Sequence, residues 1–156
     1  MRADLILIAE DNEDHVILLR RALKKGAVLN PLFVVSDGEE AIAYLKGEGK
    51  FADRYEYPLP GLLLLDLKMP KKDGFEVLEW IRQQPYLKRL RVVVLTTSDS
   101  PADIDRAYEL GANSFIVKPL EKQQFLEVTN AIKGYWLWMS AAPQLQETPD
   151  PPVPAI

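Results

Sequence analysis

Five short apolar runs punctuate the chain, at residues 5–9, 32–35, 62–65, 92–95 and 115–117. Each is too short for a core helix and lacks the alternation of a half-exposed strand, so all five read as β-strands buried on both faces. Between them apolar residues recur at helical spacing: Val16, Leu19 and Leu23; Ala41, Tyr44 and Leu45; Phe75, Leu78 and Ile81; Ile104, Ala107 and Tyr108; Phe125, Val128 and Ile132. Three of these helices carry start signals. Asp37 with Glu40, Asp73 with Glu76, and Ser100 with Asp103 have the spacing at which a cap and the acid three residues later satisfy orphan backbone donors, and Pro101 suits a first helical position. Strands alternating with helices predict an α/β fold, a doubly wound five-stranded parallel sheet with five helices, because each crossover returns the chain to the same direction.

Two stretches break the pattern. Residues 47–60 are long for a helix-to-strand connection and read as an inserted surface loop with no assigned role. Residues 143–156 hold five prolines and few large apolar side chains, which predicts one folded domain over 1–140 and a Pro-rich disordered tail over 141–156.

Composition narrows the function classes. With 47% hydrophobic and 27% charged residues the chain has the makeup of an ordinary globular protein. A net charge of −4 argues against nucleic acid as a direct partner, since a phosphate-backbone binder needs a basic stripe. The absence of Cys removes disulfides, thiolate zinc sites and a cysteine nucleophile and is compatible with a reducing compartment. The first apolar run is short and ends in acids, unlike a signal peptide or membrane span, so the expected location is cytoplasmic with no membrane contact.

In open parallel sheets ligands bind outside the carboxyl ends of the strands. There the first run ends in Glu10 and Asp11, the third in Asp66, the fourth in Thr96 and Thr97, and the fifth in Lys118. Taken singly, an Asp or Thr after a strand is usually a turn former or cap. Together, three carboxylates on one edge raise one another's pKa unless a cation neutralises them. Oxygen ligands without Cys, in a chain with a single His, point to a hard ion such as Mg2+ and leave room for a phosphoryl group. Asp66, lying between the acidic pair and Lys118, is the candidate nucleophile, with metal and lysine offsetting charge on the phosphoryl oxygens.

AEDN at 9–12, LLLLDLKMPKKDG at 62–74, VVVLTTS at 92–98 and FIVKP at 115–119 resemble, in this order, the motifs of the receiver domain of two-component response regulators, over roughly residues 4–133. The resemblance implies the flavodoxin-like strand order 2-1-3-4-5 and a signalling protein, not an enzyme. It also implies a phosphorelay in which Asp66 is the phosphoacceptor served by a sensor histidine kinase. By the same resemblance Asp11 binds Mg2+ directly, Glu10 through water and Lys68 by its backbone carbonyl. Thr96 is the hydroxyl that closes on the phosphoryl group, Lys118 pairs with it, Phe115 is the switch aromatic, and the Lys118 to Pro119 bond is cis. Thr97 departs from the usual small residue there, which puts the dephosphorylation rate in question.

Rival chemistries fit less well. A haloacid dehalogenase-type enzyme needs a second Asp two residues after its nucleophile, where Lys68 stands, and its nucleophile follows the first strand. A flavodoxin-like phosphate binder is opposed by the acidic EDNED at 10–14. A receiver-like adaptor that ignores phosphate is opposed by the complete residue set. His15, without partners at metal spacing, reads as a surface residue. Tyr135, Trp136, Leu137 and Trp138 sweep most of the way round a helix and cannot all face one core, which predicts a homodimer through the C-terminal helix. The insertion and this aromatic end resemble the stand-alone regulators paired with bacterial phytochrome kinases, making a bacteriophytochrome the expected kinase.

Overall fold

The computed structural model describes residues 4–25, 30–135 and 145. Five parallel strands, β1 (Ile6–Ala9), β2 (Leu32–Val35), β3 (Leu62–Leu65), β4 (Val92–Thr96) and β5 (Ser114–Val117), form one sheet in the order β2-β1-β3-β4-β5. The helices are α1 (Glu13–Lys25), α2 (Gly38–Lys46), α3 (Gly74–Gln83), α4 (Pro101–Glu109) and α5 (Lys122–Ile132). The expected order and helix count are therefore both met. Alternation along each strand divides the core. Leu7, Ala9, Leu63, Leu65, Val92 and Val94 join residues of α2, α3 and α4. Ile6, Ile8, Leu62, Leu64, Val93 and Leu95 face Leu19 and Leu23 of α1 and Phe125 and Ile132 of α5.

Burial on both faces holds for β1, β3 and β4, but not for the edge strands: β2 is half-buried over three of its four residues, and β5 is half-buried to exposed. Five helices cover a five-stranded sheet unevenly, and the outermost strands keep one flank open. On β5 the Tyr108 hydroxyl of α4 accepts the Phe115 backbone N–H at 3.1 Å, satisfying one edge donor.

All three sequence-assigned caps form. Asp37 accepts from the Glu40 amide and Ser100 from that of Asp103, while Asp73 and Glu76 make a reciprocal capping box. A fourth cap was missed: Asn12 Oδ1 accepts from the amides of Asp14 at 3.0 Å and His15 at 3.2 Å, and so starts α1 immediately after the acidic pair.

The 47–60 segment is more than a surface loop. It contains a 3-10 turn at Gly49–Phe51 whose Phe51 is buried, and Phe33, Tyr44, Phe51 and Tyr57 stack mutually with centroids 5.1 to 6.1 Å apart. The Arg54 guanidinium donates to the carbonyls of Tyr44, Leu45 and Tyr57, and Tyr44 Oη to that of Pro58 at 2.8 Å. The insertion thus extends the core over β2 and satisfies the last turn of α2.

The loop that leaves β3 is pressed against the start of α2. A Cβ on Gly38 would stand 2.0 Å from the Lys72 carbonyl oxygen, and the neighbouring Lys71, held at φ 67°, pairs with Asp37 at 3.6 Å. Only glycine admits that approach. The aromatic end of the chain from Trp136 onward and the predicted tail, apart from Leu145, lie outside the described residues; α5 ends at Ile132, and Tyr135 is exposed.

Candidate functional site

Strand alignment brings the predicted residues to one edge. Ala9 pairs with Leu65 and Thr96 with Val117, so the next residues, Glu10, Asp66 and Lys118, leave the sheet beside Thr96 at the same level. Asp11 is exposed at the rim; Glu10, Asp66, Thr96 and Lys118 are buried. Glu10, Asp11 and Asp66 can each offer one carboxylate oxygen with all three atoms within 4.8 Å of one another, a grouping suited to a divalent cation.

Lys118 is the hub. Its ammonium donates to Glu10 Oε2, to Asp66 Oδ2 at 3.2 Å, and to His15 Nδ1 at 3.0 Å. Backbone donors hold the carboxylates from the other side: the Asn12 amide to Glu10 Oε1 at 3.0 Å and the Lys68 amide to Asp66 Oδ1 at 3.3 Å. The Thr96 hydroxyl, fully buried, faces Asp66 closely enough to favour its charged form yet makes no formed hydrogen bond. Burial and a hydrogen bond with Asp66 push the Glu10 carboxyl up to about 7, against the opposing pull of Lys118. Asp66 goes the other way. Burial alone would raise it, but the hydrogen bond from Glu10 and the charge of Lys118 hold it below the usual carboxylate range. Adjacent carboxylates with opposite shifts beside one lysine form a cluster whose negative charge a divalent cation would offset.

The structure corrects two expectations. The Lys118–Pro119 bond is trans. Trans is the lower-energy isomer of an X–Pro bond by about 0.5–1 kcal/mol, and with it Lys118 still reaches all three of its acceptors. His15 is not simply a surface residue: the Asn12 cap sets α1 so that its ring meets Lys118, with Nδ1 3.9 Å from Glu10 Oε1. Nothing in the local sequence signalled this, because Lys118 lies on the last strand's end. Phe115 is half-buried against the α2–α4 core, Thr97 is exposed, and the Lys68 amide, rather than its side chain, touches the acceptor.

Comparison with known proteins agrees with this geometry. The family model described as "Response regulator receiver domain" matches residues 6–130. The chain is 38% identical over 133 residues to response regulator Rcp1 of Synechocystis sp., covering 85% of this chain and 88% of that one. Among solved structures, the phosphorylated cyanobacterial phytochrome response regulator RcpA superposes with a TM-score of 0.86 at 39% identity, covering 91% of this chain and 99% of RcpA. The Mn2+-bound form of Rcp1 gives 0.83 at 37%, covering 90% and 99%. A divalent metal is thus held by a relative with this fold, and the acidic triad here has the donor set for one. No helix among the described residues is long and apolar enough to cross a membrane. With a receiver model spanning most of its length and relatives aligned nearly end to end, the chain belongs to the response regulator receiver family and is a response regulator of a two-component phosphorelay, similar to the phytochrome response regulators.

Proposed function

We propose that the protein accepts a phosphoryl group on Asp66 from the phosphohistidine of a cytoplasmic sensor kinase of the phytochrome type, with Mg2+ as the resident metal. The carrying observation is the environment of Asp66: a buried carboxylate of lowered pKa in contact with Lys118, within reach of two further acids, and facing a buried threonine hydroxyl with no partner of its own. An Asp66 oxygen attacks phosphorus as the P–N bond breaks; the bonding pair stays on that ring nitrogen, and the donor, protonated on its other nitrogen, leaves as neutral imidazole. Lys118 holds charge on the phosphoryl oxygens, and the unpartnered Thr96 hydroxyl has a ready acceptor in one of them. Asp11 and Asp66 would bind Mg2+ directly, Glu10 through water and Lys68 by its carbonyl. When bound, the ion neutralises the carboxylates and the transferring group. Similarity to RcpA and Rcp1 supports the phytochrome assignment. Reaction with a small acyl-phosphate donor, followed by hydride reduction and peptide mapping, is expected to tag Asp66; a tag elsewhere would remove the assignment.

Metal and proton compete for this site. Glu10, with its pKa raised from 4.5 to about 7, binds its proton more tightly folded than unfolded, so its contribution to stability is full below 4.5 and is lost as pH rises to about 7. Asp66 acts in the opposite sense, but its folded pKa lies below its ordinary value, outside that window. The metal-free protein should therefore lose thermal stability between pH 5 and roughly 7.5 as far as this site is concerned. Saturating Mg2+ should raise Tm more at pH 8 than at pH 5.5, because binding must displace the proton. Equal shifts at both pH values would show that the ion does not use these carboxylates.

Thr96 and Phe115 carry the response. Drawing the Thr96 hydroxyl to the phosphoryl group empties space toward which Phe115 of the neighbouring strand can turn, and the new contacts supply the differential free energy. Thr96→Ala should still be phosphorylated yet shift Phe115 weakly. A beryllofluoride-induced spectral change at Phe115 as large as in wild type would contradict this coupling.

The active unit is a homodimer through the C-terminal helix. Exposed Tyr135 and the apolar residues after it supply anchors, each contributing roughly 1.5–3 kcal/mol when buried. Sedimentation should show a dimer at tens of micromolar that Trp136→Ala with Trp138→Ala weakens; a monomeric wild type would exclude it.

A further inference from the structure

We propose that His15 is a positioning residue for phosphoryl transfer, which accepts the third N–H of Lys118 and so aims the lysine at the acceptor carboxylate. This rests on Asp66 being the acceptor. An ammonium has three donors and no acceptor, and here all three have a partner: Glu10, Asp66 and His15 Nδ1. Glu10 and Asp66 lie on the reacting side of the lysine. His15 is the partner that is not an acid, and burial, then the charge of Lys118, lower its pKa from 6.5 and favour the neutral ring. Neutrality has a consequence. An acid at this position would form an ion pair and spend the lysine's charge, while an aliphatic side chain would leave one N–H without a partner.

The cavities give the second half of the argument. Glu10, His15, Asp66 and Lys118 line an inner space of about 10 Å³ beside the acceptor. His15 and Lys118 also line an outer cavity of about 100 Å³, whose other wall includes Thr97, Pro119 and Leu120. Together with Phe125, which lines both spaces, the two side chains stand between the acceptor and the second pocket. A lysine stem has four rotatable bonds, and the outer cavity is where it could go. The contact at 3.0 Å fixes it on the inner side. His15 touches the lysine, and no role in binding the phosphoryl group itself is assigned to it.

The contact also specifies a tautomer. Since the ammonium can only donate, Nδ1 must carry the lone pair and Nε2 the proton. His15 is the only histidine in the chain, so its ring nitrogens give an unambiguous long-range ¹H–¹⁵N spectrum. In the wild-type protein the Nε2–H form is expected, with an Nδ1 signal that moves in Lys118→Met. An Nδ1–H tautomer would overturn the proposal.

Variants supply the functional arm, using a small acyl-phosphate donor at saturating Mg2+ so that kinase docking does not enter. His15→Leu should lower the rate of Asp66 phosphorylation about tenfold, the scale of one hydrogen bond to a charged group. His15→Asn, which puts an amide oxygen near the place of Nδ1, should recover most of that loss. A loss shared by both variants would reduce His15 to packing, and a wild-type rate in His15→Leu would exclude the role outright. Failure of the acceptor assignment looks different: label would persist in Asp66→Asn while the tautomer of His15 stayed as described.

Discussion

Asp66→Asn is expected to abolish acid-labile phosphorylation from both a phosphohistidine donor and a small acyl phosphate. The substitution is nearly isosteric, but its one amide oxygen can replace only one of two acceptors, Oδ1 for the Lys68 amide at 3.3 Å or Oδ2 for Lys118 at 3.2 Å. The fold should still change by only about 1 kcal/mol, since no cavity opens, one hydrogen bond is lost and one of two adjacent acids is neutralised. The amide oxygen, however, cannot form the acyl phosphate, so the chemical loss is complete rather than partial. Of the neighbouring acids, Glu10 is engaged by Lys118 and its pKa is raised, while Asp11 is exposed at the rim. Glu10 therefore lacks the lowered pKa of Asp66, and Asp11 lacks its burial. Labelling of the Asn variant at the wild-type level, or labelling of the native protein after complete chelation of divalent metal, would refute the site.

Gly74→Ala should damage the fold and the acceptor together. Gly74 opens α3, and its amide donates to the Leu67 carbonyl at 2.9 Å. A Cβ there would lie 2.3 Å from the Asp66 carbonyl oxygen and 2.7 Å from Leu67 Cα. Both are backbone atoms in the segment that carries the acceptor, so no side chain can swing aside. Alanine is favoured over glycine in a helix by up to about 1 kcal/mol, but forcing backbone out of a packed site costs about 1–3 kcal/mol and wins. A fall in Tm of several degrees is expected, about 2–4 °C per kcal/mol for a domain of this size, together with slower phosphorylation because Asp66 is displaced. Asp73→Ala provides the comparison: it removes the capping box at a cost of about 1 kcal/mol without touching the acceptor's backbone, so its stability loss should come with a near-native rate. Gly74→Ala with native Tm and native rate would show that the loop after β3 has slack to spare.

Much of this could be read from local pattern. β1, β3 and β4 are buried apolar runs, and the caps at Asp37, Asp73 and Ser100 form as their spacing indicates, because both features depend on residues within one turn or one strand. Glu10, Asp66, Thr96 and Lys118 were legible as a group because parallel strands end on a common edge, so position in the chain translates into position in space. The 47–60 insertion was not legible, since its role depends on Phe33 and Tyr44, which become its neighbours only when α2 and β2 are packed. The half-exposure of β2 and β5 was missed for a related reason: hydrophobicity alone does not say which strand lies at an edge.

The sequence by itself determined the strand and helix alternation, the starts of three helices and the residue types available at the strand ends, all consequences of short-range spacing. Only the tertiary structure decided how those ends interact. It raised the pKa of Glu10 and lowered that of Asp66, surrounded Lys118 with three acceptors, left the Thr96 hydroxyl without a partner, and brought His15 from the first helix to the lysine of the last strand. Those properties arise from burial and from angles between groups distant in the chain. Desolvation and directional hydrogen bonding do not exist until the sheet closes under its helices, and no local window of residues encodes them.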